Sequence, residues 1–407
     1  MSTSALFRRI SVLAFTLPAV LWLAVKSHAA KEKVAPAAEV QTATEIRLLD
    51  PGWWPTKGSA KHDEYAGSAT CTGCHAAKAQ SYAATAMAHA LIVITGRPLP
   101  ELSQGPLRFS IGSYNYELQQ TPAGPMYSVN DGSQSSSAPI GWVFGNGEFG
   151  RTYVYKEGGI FYESRLSYYS NPRVLDFTTG NPRAAPNRLA TALGRRMAGK
   201  EPQLCFGCHS TAATTDSIFD SQNLVPGVEC EACHGPGARH VALMSGGMET
   251  QVPSMIVNPA QLGPVASVDF CGACHRTSVD VALSGVTGIL TLRFPAYRLQ
   301  RSRCWGAKDS RVACIACHDS HQPLAREAVS YDRNCLSCHR IPPDSTAKHA
   351  AISVGKHRPQ LSKIPVCPVG TKDCVNCHMP KYTIPEMHAT FTDHKIGIYR
   401  KGAPFAE

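Results

Sequence analysis

"CEACHGPGARH", residues 230–240, sets two cysteines three positions apart, a histidine directly behind them, and a second histidine six residues further on. Its first five residues follow the pattern Cys-x-x-Cys-His, and fourteen of the sixteen cysteines fall into seven copies of it. "CTGCH" holds Cys71, Cys74 and His75; "CFGCH" holds Cys205, Cys208 and His209; "CEACH" holds Cys230, Cys233 and His234; "CGACH" holds Cys271, Cys274 and His275. "CIACH" follows with Cys314, Cys317 and His318, "CLSCH" with Cys335, Cys338 and His339, and "CVNCH" with Cys374, Cys377 and His378. Such a run is the attachment signature of haem c. Two thiols add to the two vinyl groups on one edge of the porphyrin, while the adjacent histidine reaches the iron from one face. Zinc ribbons also use Cys-x-x-Cys pairs, and an exported chain could use its cysteines for disulfides. Neither alternative requires a histidine after every second cysteine, so the sequence predicts seven haem c groups.

Ahead of the first motif, Arg8 and Arg9 precede an apolar run from Ile10 to Val25 and the small-residue stretch Ser27-His28-Ala29-Ala30. That order reads as a secretory signal over residues 1–29, cleaved after Ala29, and places the mature chain in the periplasm or outside the cell. An uncleaved anchor is the alternative, although Pro18 interrupts a run already short for a spanning helix. No cysteine lies near the cleavage point to take a lipid. Residues 30–60 read as a tether, Ala-, Glu- and Lys-rich over 31–50. The mature chain keeps enough length for one large or two medium domains.

Loss of Arg8, Arg9 and Lys26 with the signal lowers the formal charge from +10 to +7. Each oxidised haem adds about one net negative charge through its propionates. The loaded protein would then sit near neutral, so its basic composition gives no reason to expect a nucleic-acid partner.

The motifs divide the chain unevenly. One lies in a first haem segment, residues 61–105, and six crowd into a C-terminal region, residues 181–407. That density leaves little room for a side-chain core, so porphyrin faces must supply much of the buried apolar surface. The expected fold class is mainly α and irregular, short helices around a haem stack, with a small antiparallel β insertion over residues 106–180. "LRFSIGSYNYELQQ" (107–120) and "GRTYVYKEGGIFYESRLSYY" (150–169) show the alternation of strands, with Gly158-Gly159 as a turn and 130–137 as a polar loop. Their aromatic residues read as ordinary core. Ala-rich 75–93 and the stretch 186–209 read as helices.

Beyond the seven motif histidines and His28, eight remain to bind the other faces of the irons: His62, His89, His240, His321, His349, His357, His388 and His394. Met87 is a further candidate, and on the predicted helix it and His89 point to different faces, so at most one of them is expected to ligate, with Met87 as core packing the remaining alternative. Methionine would raise the potential of its haem relative to a second histidine. Cys304 and Cys367 stand outside the motifs; a disulfide between them is expected, with two separate buried thiols as the alternative.

At these residues the chain resembles the multihaem cytochrome c superfamily, which includes tetrahaem cytochromes of nitrification, octahaem hydroxylamine oxidoreductases and pentahaem nitrite reductases. It is especially similar to cytochrome modules fused to tetratricopeptide repeats, although no such repeat is visible. The resemblance covers residues 61–90 and about 200–396. "CEACHGPGARH" is similar to a family pattern whose last histidine ligates a neighbouring haem, which implies that role for His240. "CIACHDSH" implies the same for His321, and "CVNCHMP" with "MHATFTDH" puts forward His388 and His394. After the first motif the tetrahaem relatives place a ligand histidine where this chain has Met87.

The expected function is relay of electrons through closely packed, mostly bis-histidine haems, with other cytochromes or a membrane quinol oxidase complex as redox partners. One alternative is an oxidoreductase acting on a small nitrogen or sulfur oxyanion at one open haem. No Cys-x-x-Cys-Lys, the variant that pentahaem nitrite reductases use at their active haem, occurs here. A second alternative is self-assembly into an extracellular filament, in which His62 would ligate a haem of the next subunit.

Overall fold

The structure is a computed structural model and describes residues 58–407 apart from 97, 249–255, 306–311, 340–366 and 368. The signal expected over residues 1–29, most of the tether, His349 and His357 lie outside the described residues. Among those described, no helix is long and apolar enough to cross a membrane.

Ten strands occupy the interval between the first and second motifs: β1 (Leu91–Val93), β2 (Leu107–Ile111), β3 (Tyr114–Thr121), β4 (Gly124–Asn130), β5 (Ser135–Pro139), β6 (Trp142–Phe144), β7 (Gly150–Glu157), β8 (Ile160–Tyr169), β9 (Val174–Phe177) and β10 (Gly194–Arg196). One antiparallel sheet runs β2-β3-β4-β5, and the other runs β1-β6-β7-β8-β10 with β9 also on β8. Gly158 and Gly159 both take positive φ, 54° and 82°, which a two-residue turn between β7 and β8 requires. Period-two alternation gives the larger sheet two apolar faces. Val143, Tyr153, Tyr155 and Leu166 pack against Tyr116, Leu118, Tyr127 and Val129 of the smaller sheet. Trp142, Val154 and Phe161 face the other way, onto Phe206 within the second motif.

This β part is larger than the small insertion expected, and helical content is correspondingly less dominant. The reasons are local. Helix 75–93 was expected from its alanines, but the helix Ala76–Tyr82 ends early, because Leu91-Ile92-Val93 pairs with β6. Within 186–209 the predicted helix is interrupted by β10, whose Gly194 sits where a Cβ would come within 2.4 Å of the Glu163 carbonyl. Arg195 then fixes the strand by ion pairs to Glu163 at 2.7 Å and Glu201 at 2.5 Å. The polar loop predicted over 130–137 is shorter, since Ser135–Pro139 pairs with β4.

Beyond β10 the elements are short. β11 (Ser210–Thr211) pairs with β14 (Val225–Pro226), and β12 (Thr214–Thr215) with β13 (Ile218–Phe219). Helices follow at Cys230–His234, Ala238–Ser245, Pro264–His275, Ser278–Ser284, Pro295–Gln300, Cys314–Cys317, Asp332–His339 and Cys374–His378. A last hairpin joins β15 (Lys381–Ile384) to β16 (Ala389–Thr392).

Candidate haem-attachment sites

Every Cys-x-x-Cys segment lies on a helix: Ser68–Cys74, Glu201–His209, Cys230–His234, Pro264–His275, Cys314–Cys317, Asp332–His339 and Cys374–His378. Residues three apart on a helix share one face, so each pair of thiols is presented side by side. No disulfide joins any of these sulfurs.

Long-range contacts put these helices next to one another in a definite order. Ser68 Oγ, at the start of the first motif helix, donates to Glu229 Oε2 at 2.6 Å, beside the third motif. Cys233 of the third motif and Cys271 of the fourth share the apolar cluster of Val257, Leu262 and Phe270. Cys208 of the second motif reaches the Ala273 carbonyl of the fourth, at 3.7 Å. Cys314 of the fifth packs against the apolar cluster of Val268, Ala296 and Leu299, the first of which lies on the fourth motif helix. The His318 ring meets Tyr331 edge-on at 5.6 Å, one residue before the sixth motif helix. Asp332 of that helix accepts the amides of Asp373 and Cys374, both at 2.8 Å, at the seventh. Neighbouring motifs therefore run first, third, fourth, fifth, sixth, seventh, and the second branches from the fourth.

Among the described residues, these motif histidines have a second imidazole opposite them: His75, His234 and His318. His75 faces His240 with centroids 6.4 Å apart, His234 faces His321 at 5.9 Å, and His318 faces His394 at 6.2 Å. Two metal–nitrogen bonds of about 2 Å, with each nitrogen about 1 Å from its ring centre, add up to roughly 6 Å. The centroid spacing of each pair is thus that of two imidazoles with one iron between them. His240 stands opposite His75 of the first motif, not His234 of its own.

Protonation points the same way. His209, His234, His378 and His394 each turn Nδ1 to a backbone carbonyl, those of Ala90, Val257, Gly397 and Thr392, at 2.7 to 3.2 Å. A carbonyl only accepts, so Nδ1 carries the proton and Nε2 keeps its lone pair, the tautomer suited to binding metal. Burial lowers the pKa of His209, His234, His240, His275 and His318, and pushes His394 down to about 4, which keeps these rings neutral.

Other candidates are engaged differently. His89 Nε2 bonds the Ala83 carbonyl at 2.8 Å, and His388 Nε2 donates to Asp176 Oδ2 at 2.8 Å. Met87 and His89 sit in turns and not on a helix, so the argument from opposite helix faces does not apply to them. The Met87–Ala90 turn meets His209 on its Nδ1 edge, through the Ala90 carbonyl. His62 is exposed in the short turn His62–Glu64. No disulfide joins Cys304 to Cys367. The Cys304 thiol is pushed up by burial and by the neighbouring Cys338, whereas Cys367 is lowered by the amides of Val369 and Gly370. Each thiol thus has a different setting.

Two supporting groups carry no motif of their own and were not singled out from the sequence. Glu231, 5% exposed, accepts amides from two separate segments. Arg298, fully buried, holds Asp393, the residue before His394, through Nε at 2.8 Å and Nη2 at 2.6 Å. Its only sequence signal is a charge in an otherwise apolar helix, "PAYRLQ".

Residues 177–235 match the family described as cytochrome c554 and c-prime. That stretch holds the second and third motifs, and the match supports a c-type cytochrome carrying haem c. No curated protein matches the chain. The solved structure of outer cell wall cytochrome OcwA is similar at 14% identity and a TM-score of 0.44, covering 82% of this chain and 79% of that one.

Proposed function

We propose that this chain is an exported heptahaem cytochrome that relays electrons through contiguous haems, at least three of them with two histidines on the iron. The three facing imidazole pairs carry the reading. An iron held on both faces by protein has no vacant position for a substrate, so it can accept and release electrons but not bind a small molecule. His75 and His240 would hold the first haem, His234 and His321 the third, His318 and His394 the fifth. In each pair the second histidine comes from later in the chain, so each of these three haems would tie distant segments together.

The contact order supports a relay in a second way. The contacts between neighbouring motifs link all seven without a break, and covalent attachment would fix the porphyrins in that order. Haem would supply the redox chemistry; this chain's histidines would hold the irons, with Nδ1 of His209, His234, His378 and His394 fixed by backbone carbonyls. For the irons of His209, His275, His339 and His378, the remaining candidates are His62, Met87, His89, His349, His357 and His388. Of these, His89 and His388 would first release Ala83 and Asp176.

Spectroscopy of the purified holoprotein tests the proposal. Seven haems per chain, low-spin ferric signals throughout and no carbon monoxide binding on reduction are expected. A high-spin ferric signal amounting to a whole haem, with carbon monoxide bound to it, would overturn the pure relay and favour an open catalytic haem.

A further inference from the structure

We infer that Glu231 is the positioning residue for the first haem, holding His75 and His240 in register and setting a fixed negative charge beside their iron; this rests on the reading that these two histidines share one iron. Glu231 is a variable position inside "CEACH", yet its side chain does not serve its own motif alone. Oε1 accepts the Ala66 amide at 2.8 Å and the Gly237 amide at 2.7 Å, and Oε2 accepts the Gly67 amide at 2.8 Å. Gly67 immediately precedes the helix Ser68–Cys74, which leads to His75, and Gly237 immediately precedes the helix Ala238–Ser245, which carries His240. One carboxylate therefore pins the starts of both helices that deliver the facing rings.

The glycines fit this role. A Cβ at Gly237 would lie 3.1 Å from Glu231 Oε1, so a side chain there would press on the acceptor. Gly67 and Gly235 take φ of 81° and 79°, which other residues rarely adopt. The sharp turn after His234 thus exists to bring the Gly237 amide back onto Glu231, and this aims His240 at His75.

Charge is the second consequence. The three donors are backbone amides and none is a cation, so these bonds bring no counter-ion to the carboxylate. Its field reaches Tyr65, pushed up to about 12 by burial first and then by Glu231. Gly67, which Glu231 holds, lies four residues before Cys71, an attachment residue of the first haem. A negative charge there favours ferric over ferrous iron and lowers the potential of that haem.

Redox titration of Glu231→Gln and Glu231→Ala holoprotein, followed by visible and electron paramagnetic resonance spectra, tests this. A Cys71→Ser/Cys74→Ser chain identifies the signal of the first haem. Glu231→Gln keeps the shape and one acceptor oxygen; we expect seven low-spin haems, with the first alone titrating at higher potential. Glu231→Ala should in addition turn part of the first haem's signal high-spin, up to one haem per chain. A purely structural role would not raise a midpoint in Gln with ligation intact. Unchanged midpoints in Gln overturn the charge, and an unchanged first-haem signal in Ala overturns the positioning. His240→Ala separates the two levels: if it leaves the first haem unaltered, the shared-iron reading has failed; if it alters that haem while both Glu231 variants do not, only this inference has.

Discussion

The rings of His234 and His321 lie nearly parallel, 13° apart in plane and 5.9 Å apart in centroid. His321 comes from the stretch after the fifth motif, yet it faces the third, with Tyr82 edge-on to it at 6.3 Å. We predict that His321→Ala opens one iron and no other. About one haem per chain should become high-spin and bind carbon monoxide on reduction, with the remaining low-spin signals unmoved. A change confined to the haem of Cys314 and Cys317 would show that His321 serves its own motif and would sink the pairing.

Arg298 and Asp393 form a fully buried bidentate ion pair whose guanidinium also donates to the Ala406 carbonyl at 2.7 Å and lies over the Phe405 ring at 4.6 Å. Leaving one buried charge without its partner costs about 3–5 kcal/mol, whereas replacing both with apolar groups is often neutral. Arg298→Met should therefore destabilise the holoprotein by that amount in denaturant unfolding, and Arg298→Met with Asp393→Leu should recover most of it. If the double variant is as unstable as the single, the pair contributes attraction rather than merely avoiding an orphaned charge.

These two relationships show what could be read ahead of the fold. Motif residues were legible because attachment chemistry is local: two thiols and a histidine act within five positions, and no distant contact is needed to recognise them. Strands were legible where one face is buried on each side, as at Tyr153 and Val154, which alternate between the two apolar clusters. Pairings such as His75 with His240 depend on contacts across the chain that spacing does not encode. Neither Glu231 nor Arg298 stands out in the sequence, because their partners are backbone amides and a carboxylate supplied by other segments. The helix expected over 75–93 failed for a related reason, since strand pairing with Trp142–Phe144 outweighed the helix preference of alanine.

Asp176 on β9 accepts both Arg183, at 2.8 Å, and His388 near the last hairpin, at 2.8 Å. Burial pushes its pKa up, but bonds from Arg183, His388 and the Phe177 amide outweigh this and hold it below the usual carboxylate value. A depressed folded pKa contributes stability above the unfolded value, near 4, and loses it as pH falls through the folded one. Wild-type stability should drop below about pH 4 more steeply than that of Asp176→Asn. At pH 7 the variant should be weaker by about 1–3 kcal/mol. Denaturant midpoints across this range check both; parallel pH profiles would remove Asp176 from the account.

Cys208 touches the fourth motif at Ala273, while the other flank of its helix faces the sheet: Phe206 meets Trp142 at 5.6 Å and Phe144 at 5.0 Å, and His209 meets Phe144 at 5.1 Å. On the proposed relay the second haem would be a branch and the fourth the junction. Cys205→Ser/Cys208→Ser should remove one haem and leave the other six exchanging electrons at the wild-type rate after substoichiometric photoreduction. Cys271→Ser/Cys274→Ser also removes one haem, but it should split the rest into the first and third, the second alone, and the fifth to seventh. Equilibration between those groups should slow by orders of magnitude, because tunnelling would have to cross the missing porphyrin. Circular dichroism would confirm that each variant keeps its folded backbone. Equal slowing in both variants would mean that the second haem lies on the main path, contrary to the contact order.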